Sequence, residues 1–254
     1  MRKVVVVSDL QAPFHHKRAV RALERYIAHV LNGDTDAQII CVGDEIDQPG
    51  ISRWSKGLKG EFMGELGRHR DQTVDILGRL HVQHVSRSNH SDRLEHYVDR
   101  FAPGLSGLPE LQYEAFMRFP ELGIAYHRTP YRFAKGWCLL HGDEGRLSPM
   151  AGQTALKLAM QRNTSVVCGH SHRAGLSHYT YSIAGNVTKK VYGLEVGTLM
   201  NTRSSGAAYT GGTTNWSLSF GILHVDDNDN VKAARPVMIE RNGSFYADGK
   251  VWEA

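Results

Sequence analysis

Cysteine is scarce in this chain: three residues in 254, none in a CxxC spacing. An odd and scattered set excludes both a disulfide framework and a thiolate zinc site. Cys41, Cys138 and Cys168 each fall in an apolar run just before a polar cluster ("IICVGD", "WCLLHG", "VVCGHSH"). There they read as small buried strand residues, and a reducing cytoplasm is the expected compartment. No run approaches the ~18 apolar residues of a spanning helix, so no membrane partner is expected. "MRK" is followed by only four valines before Asp9, too few for the apolar core of a secretory leader. Low-complexity segments and internal repeats are missing too. Strong charge of one sign is also lacking, with 30 Lys+Arg against 26 Asp+Glu and a formal net charge of +4. That balance suits an anionic substrate without announcing nucleic acid.

What is present is an ordinary globular composition, 41% hydrophobic and 22% charged, long enough for a substantial core. Short β-branched runs alternate with helix-like stretches, the pattern of a layered α/β fold. "KVVVV" (3–7), "AQIICV" (37–42), "HVQHVS" (81–86), "WCLLH" (137–141) and "SVVCG" (165–169) read as buried strands. Between them, Lys17 to Leu31, about 61–80, 93–101 and 150–161 carry apolar residues at helical spacing. The region 102–130 is punctuated by Pro and Gly. After about 175 the pattern becomes hairpin-like, with "DDNDN" as a turn; it lacks the sixth-position Gly and closing Glu of a calcium loop. Nothing resembles a linker, so residues 1–254 are read as one domain.

Five apolar runs end in a short loop rich in Asp, Asn or His. They are "VVVVSDLQ" with Asp9 and Gln11, "IICVGDEID" with Asp44 and Asp47, "HVSRSNHSD" with Asn89, His90 and Asp92, "CLLHGDEG" with His141, and "VVCGHSH" with His170 and His172. Loops beyond the carboxyl ends of strands in an open α/β sheet converge on one crevice. The ligand set is hard oxygen plus imidazole, which suits Mn, Fe or Zn in a working site. Two such ions sharing one carboxylate would clamp an in-line displacement at phosphorus and generate a hydroxide nucleophile near neutral pH.

In this order, D-x-[H/Q], GDxxD, [G/S]NH, an isolated strand-end His and GHxH resemble the calcineurin-like metallophosphoesterase superfamily. The match runs from Asp9 to His172, and "SDLQAPFHH" is similar to a branch common in phages and prophages. The resemblance implies a four-layer αββα sandwich of two mixed sheets flanked by helices, the β-rich last third supplying the second sheet. It assigns Asp9 and His172 to a first metal, with Gln11 in place of the usual histidine. Asp44 would bridge to a second metal held by Asn89, His141 and His170. His90 would be the non-ligand catalytic histidine, protonating the leaving oxygen or holding the phosphate. Asp47 would orient a ligand from behind. Ser91 stands where an acidic residue usually follows the NH pair, and Asp92, one place on, is left to orient His90.

Around these motifs, Arg53 is a candidate substrate contact, Arg87 and Arg93 are phosphate contacts or solvated arginines, and Trp54 is a candidate wall of the cleft or a packing residue. The Gly-rich loop 201–216 caps the cleft or simply connects. His15 and His16 follow the first motif, where water-exposed loop histidines at a helix start are expected, the alternative being that one leans toward the first metal or the substrate. The expected activity is a dinuclear-metal-dependent phosphoesterase with two divalent ions, Mn favoured and Fe or Zn as alternatives. Phosphodiesters, nucleotides and cyclic nucleotides included, are preferred over phosphoproteins, with phosphomonoesters allowed. A Mn-dependent DNA nuclease is the alternative activity. The alternative of another class is a non-catalytic scaffold, as in the retromer coat subunit, against which His90 argues because a scaffold needs no leaving-group acid.

Overall fold

In the computed structural model, which describes residues 1–52, 65–210 and 214–254, the alternation of "KVVVV" resolves into two destinations. Strand β1 (Arg2–Val7) sends Val5 and Val7 toward helix α1 (Lys17–Gly33) and Val4 and Val6 to the opposite face, and all four are fully buried. A strand with both faces covered needs no polar alternation. This one residue pattern therefore places β1 inside a layered structure.

The first sheet has the order β11-β10-β1-β2-β3-β4, built from β2 (Gln38–Cys41), β3 (His84–Ser86), β4 (Ala125–His127), β10 (Ser219–Val225) and β11 (Val231–Met238). The second has the order β5-β6-β7-β9-β8, from β5 (Tyr131–Ala134), β6 (Trp137–Leu139), β7 (Ser165–Cys168), β8 (Ala174–Ile183) and β9 (Asn186–Val196). Both sheets mix parallel and antiparallel pairs. Val4, Val6, Ile40 and Leu223 of the first meet Leu139, Val167, Leu194 and Val196 of the second in one apolar layer. Outside the first sheet pack α1 and α2 (Leu66–Arg79), which contribute Leu23, Ile27, Ile76 and Leu77. Outside the second packs α6 (Gln153–Arg162), with Ala155, Leu158 and Ala159 against Cys138, Val166 and Cys168. The order of layers is thus helix, sheet, sheet, helix, the αββα sandwich expected.

One expectation fails in detail. The last third does not form the second sheet alone. Strands β8 and β9 join it as a hairpin beside β7, but β10 pairs antiparallel with β1 and extends the first sheet. β11 carries Pro236, which an edge strand tolerates because the missing N–H faces outward. Short strands β4 and β5 arise within and just after the Pro- and Gly-punctuated region, and a further ribbon pairs β12 (Phe245–Ala247) with β13 (Lys250–Trp252). The predicted helix over 61–80 is described from Leu66, its first residues lying outside the described ones. The "DDNDN" turn is a hairpin tip, where Asp226 Oδ1 accepts the Asn228 and Asn230 amides at 3.0 and 2.8 Å.

Two further devices fix the frame. α1 begins at His16, whose Nδ1 accepts the Ala19 N–H at 3.1 Å. The start of α6 is held from another element: buried Glu195 of β9 accepts the N–H groups of Gly152, Thr154 and Ala155 at 2.8, 2.9 and 3.3 Å. A carboxylate on a helix N-terminus is electrostatically favoured. It also ties α6 to the second sheet. Among the described residues no helix is long and apolar enough to cross a membrane.

Candidate metal centre

Each of the five polar clusters sits directly beyond a strand end, three on the first sheet and two on the second. The first sheet delivers Asp9, Gln11, Asp44 and Asn89; the second delivers His141, His170 and His172. One sheet therefore supplies carboxylate and amide groups and the other supplies imidazoles. Five of these seven residues, Asp9, Gln11, Asp44, His170 and His172, have φ between 45° and 61°. Non-glycine residues in that region each cost about 1–3 kcal/mol and concentrate at functional sites.

Glycine permits the close approach. A Cβ on Gly169 would lie 1.7 Å from Ser8 Oγ and 2.5 Å from Asp9 Oδ2. On Gly43 it would lie 2.6 Å from Ser88 Cβ and 2.8 Å from His141 Nδ1. The first residue of each "GH" and "GD" pair is thus fixed by the crossing of two loops at the site.

Around Asp9, the fully buried carboxylate accepts the His170 N–H at 2.9 Å on Oδ2, which Ser8 Oγ also touches. Its Oδ1 lies 2.9 Å from His172 Nε2 and accepts no hydrogen bond. Gln11 Nε2 stands 3.2 Å from the same ring nitrogen. If that nitrogen accepts from Gln11, its lone pair opposes the carboxylate; if it carries the proton, the Gln11 N–H faces another donor. A cation held by Asp9 and His172, with the Gln11 amide turned to offer its oxygen, would remove the conflict. Burial opposes charge on Asp9, but His172 outweighs it and holds the carboxyl below the usual range. Trp216 packs edge-on against His172 at 4.3 Å between ring centres, so this residue reaches the site.

Around Asp44, ligand atoms of Asp44, His141 and His170 lie within 4.8 Å of one another. His141 Nδ1 meets the Val42 carbonyl at 2.7 Å, which places its proton there and turns Nε2 toward Asp44 Oδ1 at 3.3 Å and Asn89 Oδ1 at 3.1 Å. Burial disfavours a charged His141, yet Asp44 and Asp9 prevail and push its pKa up to about 10. Asp44 is burdened by the same desolvation and is nonetheless held well below the carboxylate range by His141 and His90. Without an ion, a proton on His141 answers carboxylates that call for positive charge. A divalent cation would take that proton's place, and the oxygen and imidazole donors fit a hard or borderline metal.

His90 stands apart from these donors. Its Nε2 lies 3.6 Å from Asp44 Oδ2, and its Nδ1 lies 3.2 Å from the Ile46 carbonyl and 3.5 Å from Asp47 Oδ1. Arg93 is no solvated arginine: it binds the Asp47 carbonyl and places Nη2 2.5 Å from His90 Nε2. The expectation that Asp92 orients His90 is corrected. Asp92 starts α3 (Asp92–Phe101) and turns to Arg87 Nε at 2.9 Å, while Asp47 and Ile46 hold the histidine. Arg87 is spent on Asp92 and Asp143. Ser91, in the unusual acidic position, instead closes the turn by donating to the Ser88 carbonyl at 2.7 Å. Arg53 and Trp54 lie outside the described residues.

Ser8 and Ser88 are the functional neighbours that the motifs do not single out. Ser88 Oγ accepts the Asp44 N–H at 3.1 Å, and the only sequence cue is its place before the NH pair. His15 corrects a second expectation, since it is 7% exposed rather than open to water.

No family model matches the chain. The gene 54 protein of Mycobacterium phage L5 is 33% identical over 263 residues, which cover 99% of each chain. The gene 54 protein of Mycobacterium phage D29 is 32% identical over the same length and coverage. Among solved structures, zinc-complexed Vps29 from Entamoeba histolytica aligns with a TM-score of 0.43 at 15% identity, spanning 99% of this chain and 97% of that one.

Proposed function

This chain belongs to the family of the gene 54 proteins of mycobacteriophages L5 and D29, and we propose that it is a dinuclear-metal-dependent phosphoesterase with phosphodiesters as its preferred substrates. The observation that carries the reading is the pair of donor groups, Asp9–Gln11–His172 and Asn89–His141–His170, with Asp44 beside the second and His90 outside both. In this reading the first group would hold one ion, the second group would hold the other, and Asp44 would be shared between them.

Two divalent cations, Mn in the first instance, would supply positive charge opposite the phosphoryl oxygens and acidity for an attacking water. The chain's own part is to hold that charge in place. Ser8 and the His170 N–H fix the Asp9 carboxylate, Ser88 fixes the Asp44 backbone, and the Val42 carbonyl sets the His141 tautomer. His90 is oriented by Ile46 and Asp47 so that Nε2 points to the Asp44 side. There it acts on the departing or non-bridging oxygen, and Arg93 beside it adds a donor for the same phosphoryl group.

The mildly basic +4 balance favours an anionic ester. Turnover of phosphomonoesters, aryl phosphodiesters, 2′,3′-cyclic nucleotides and single- and double-stranded DNA with added Mn tests the reading. Diester hydrolysis that stops on chelation supports it. No Mn-dependent turnover of any phosphoester overturns it.

A further inference from the structure

The turn after Gln11 leads to a cleft that the metal centre does not use. It has a volume of about 320 Å3 and is lined by His15, His16, Lys17, Arg18, Asn201 and Ser204 among others, with no acidic residue. It opens at the N-terminus of the 17-residue helix α1, whose first turn carries no acidic side chain. A helix start presents unpaired N–H groups and the positive end of the peptide dipoles. Only the Ala19 amide is capped, by His16 Nδ1, and that bond leaves the remaining His16 proton on Nε2 as a donor. Lys17 and Arg18 are exposed and take part in no ion pair among the described residues.

A second, independent observation marks the same cleft as built for a ligand. His15 lines it, is 93% buried by its 7% exposure, and its Nδ1 has no hydrogen-bond partner among the described residues. Ser204 Oγ, also lining it, is buried and unpartnered. Leaving such a group unpaired costs about 1–3 kcal/mol, which folding alone does not explain. Burial, Lys17, Arg79 and His16 together push the His15 pKa down to about 4, so the ring is a neutral group in a positive field. The residues lining the cleft carry imidazole, hydroxyl, ammonium and guanidinium donors beside a helix start. A tetrahedral anion with several acceptor oxygens matches them better than a planar carboxylate does.

We propose that this cleft binds a phosphate group, at a site distinct from the seven candidate metal ligands. Backbone hydrogen bonds tie it to the centre: Phe14 N–H donates to the Gln11 carbonyl at 2.8 Å, His16 N–H to Leu199 at 2.8 Å, and Leu199 N–H to Asp9 at 3.2 Å. Two sources share the chemistry, a second phosphate on the substrate and a free phosphate ion. Assigning it to the substrate rests on the phosphoesterase reading; the binding itself does not.

The test is amide and histidine-ring NMR of the full chain titrated with inorganic phosphate, once loaded with Mn-replacing Mg and once in EDTA. Saturable shifts at residues 15–19 and 201–204 are expected in both states, and in EDTA they are expected to be confined there. Lys17→Ala/Arg18→Ala should weaken them at least 10-fold. His15→Phe should weaken them several-fold without lowering the melting temperature. No saturable shift there, equal shifts with chloride at matched ionic strength, or affinity unchanged in the double variant overturns the proposal. A kinetic arm separates the sources. If the double variant raises KM at least 10-fold more for an aryl diester bearing a second phosphate than for the plain diester, the cleft is a substrate subsite. An equal KM response assigns it to free phosphate. Absence of all hydrolysis would end the phosphoesterase reading and leave the NMR result standing.

Discussion

Arg93 Nη2 lies 2.5 Å from His90 Nε2, and an arginine can only donate, so that ring nitrogen presents a lone pair. The other ring nitrogen faces the Ile46 carbonyl and the Asp47 carboxylate, where the proton belongs. His90 is therefore neutral at rest, as its burial and the Arg93 charge both favour. Donation from Nε2 requires that nitrogen first to take up a proton, which it can do once Arg93 has turned toward another acceptor, and a phosphoryl oxygen is such an acceptor.

His90→Ala is expected to lower kcat on an aryl phosphodiester by about 10²–10⁴ while leaving metal stoichiometry intact. Metal content by elemental analysis checks the second half. A fall in stoichiometry would make His90 a ligand and the assigned role wrong.

Asp44→Asn should reduce Mn-dependent hydrolysis to background and remove most of the stabilisation that Mn confers. For the parent chain, Mn at 100 times its Kd should add about 2.7 kcal/mol to unfolding, reversed by EDTA. Full activity in the variant would rule out a shared carboxylate.

Gln11→His should tighten metal binding at the Asp9–His172 pair, because imidazole is a better ligand than an amide for these ions. Its amide stands 3.2 Å from His172 Nε2, close enough for the new ring to reach. Calorimetric titration with Mn measures the change, and unchanged affinity means that position 11 does not face the ion.

Gly169→Ala should weaken metal affinity by about 10–100-fold, since its Cβ would collide with Asp9 Oδ2 and with the Ser8 hydroxyl that helps to fix it. Binding equal to the parent would show that the loop absorbs the clash without moving the carboxylate.

His15 gives a pH dependence of definite sign. Its folded pKa is pushed down to about 4 from an ordinary 6.5. Between those values the unfolded chain binds a proton that the folded chain refuses, so stability falls as pH falls. The full loss, reached below pH 4, is about 3 kcal/mol at most. Urea unfolding in EDTA at pH 7 and 4.5, compared with His15→Phe, isolates it; an equal acid loss in both proteins excludes His15 as the source.

Much of this was legible beforehand because it depends on local pattern. Four consecutive valines before an aspartate can only be a strand covered on both faces, and five such strand ends bring their polar tips together. The misreadings concern tertiary choices. Nothing in "SLSFGILHV" records that it pairs beside β1 rather than β9. The three-residue β4 and four-residue β5 are too short to show a period and exist by virtue of their neighbours. In sequence Asp92 is the candidate partner for His90 and Asp47 a ligand's support, but Arg87 captures Asp92 and leaves Asp47 beside the histidine. His15 reads as an exposed loop residue at a helix start, whereas in the structure it forms an isolated bridge with Met200 and is buried.

The division of donors between the sheets has a mechanical meaning. Oxygen donors ride on one sheet and imidazoles on the other, with mainly an apolar layer between them, so ions at their junction would act as rivets through a laminate. Sliding of one layer over the other would stretch both donor groups at once. Loss of the ions would then be felt as loosened registry between the two halves, well beyond the few residues that touch them.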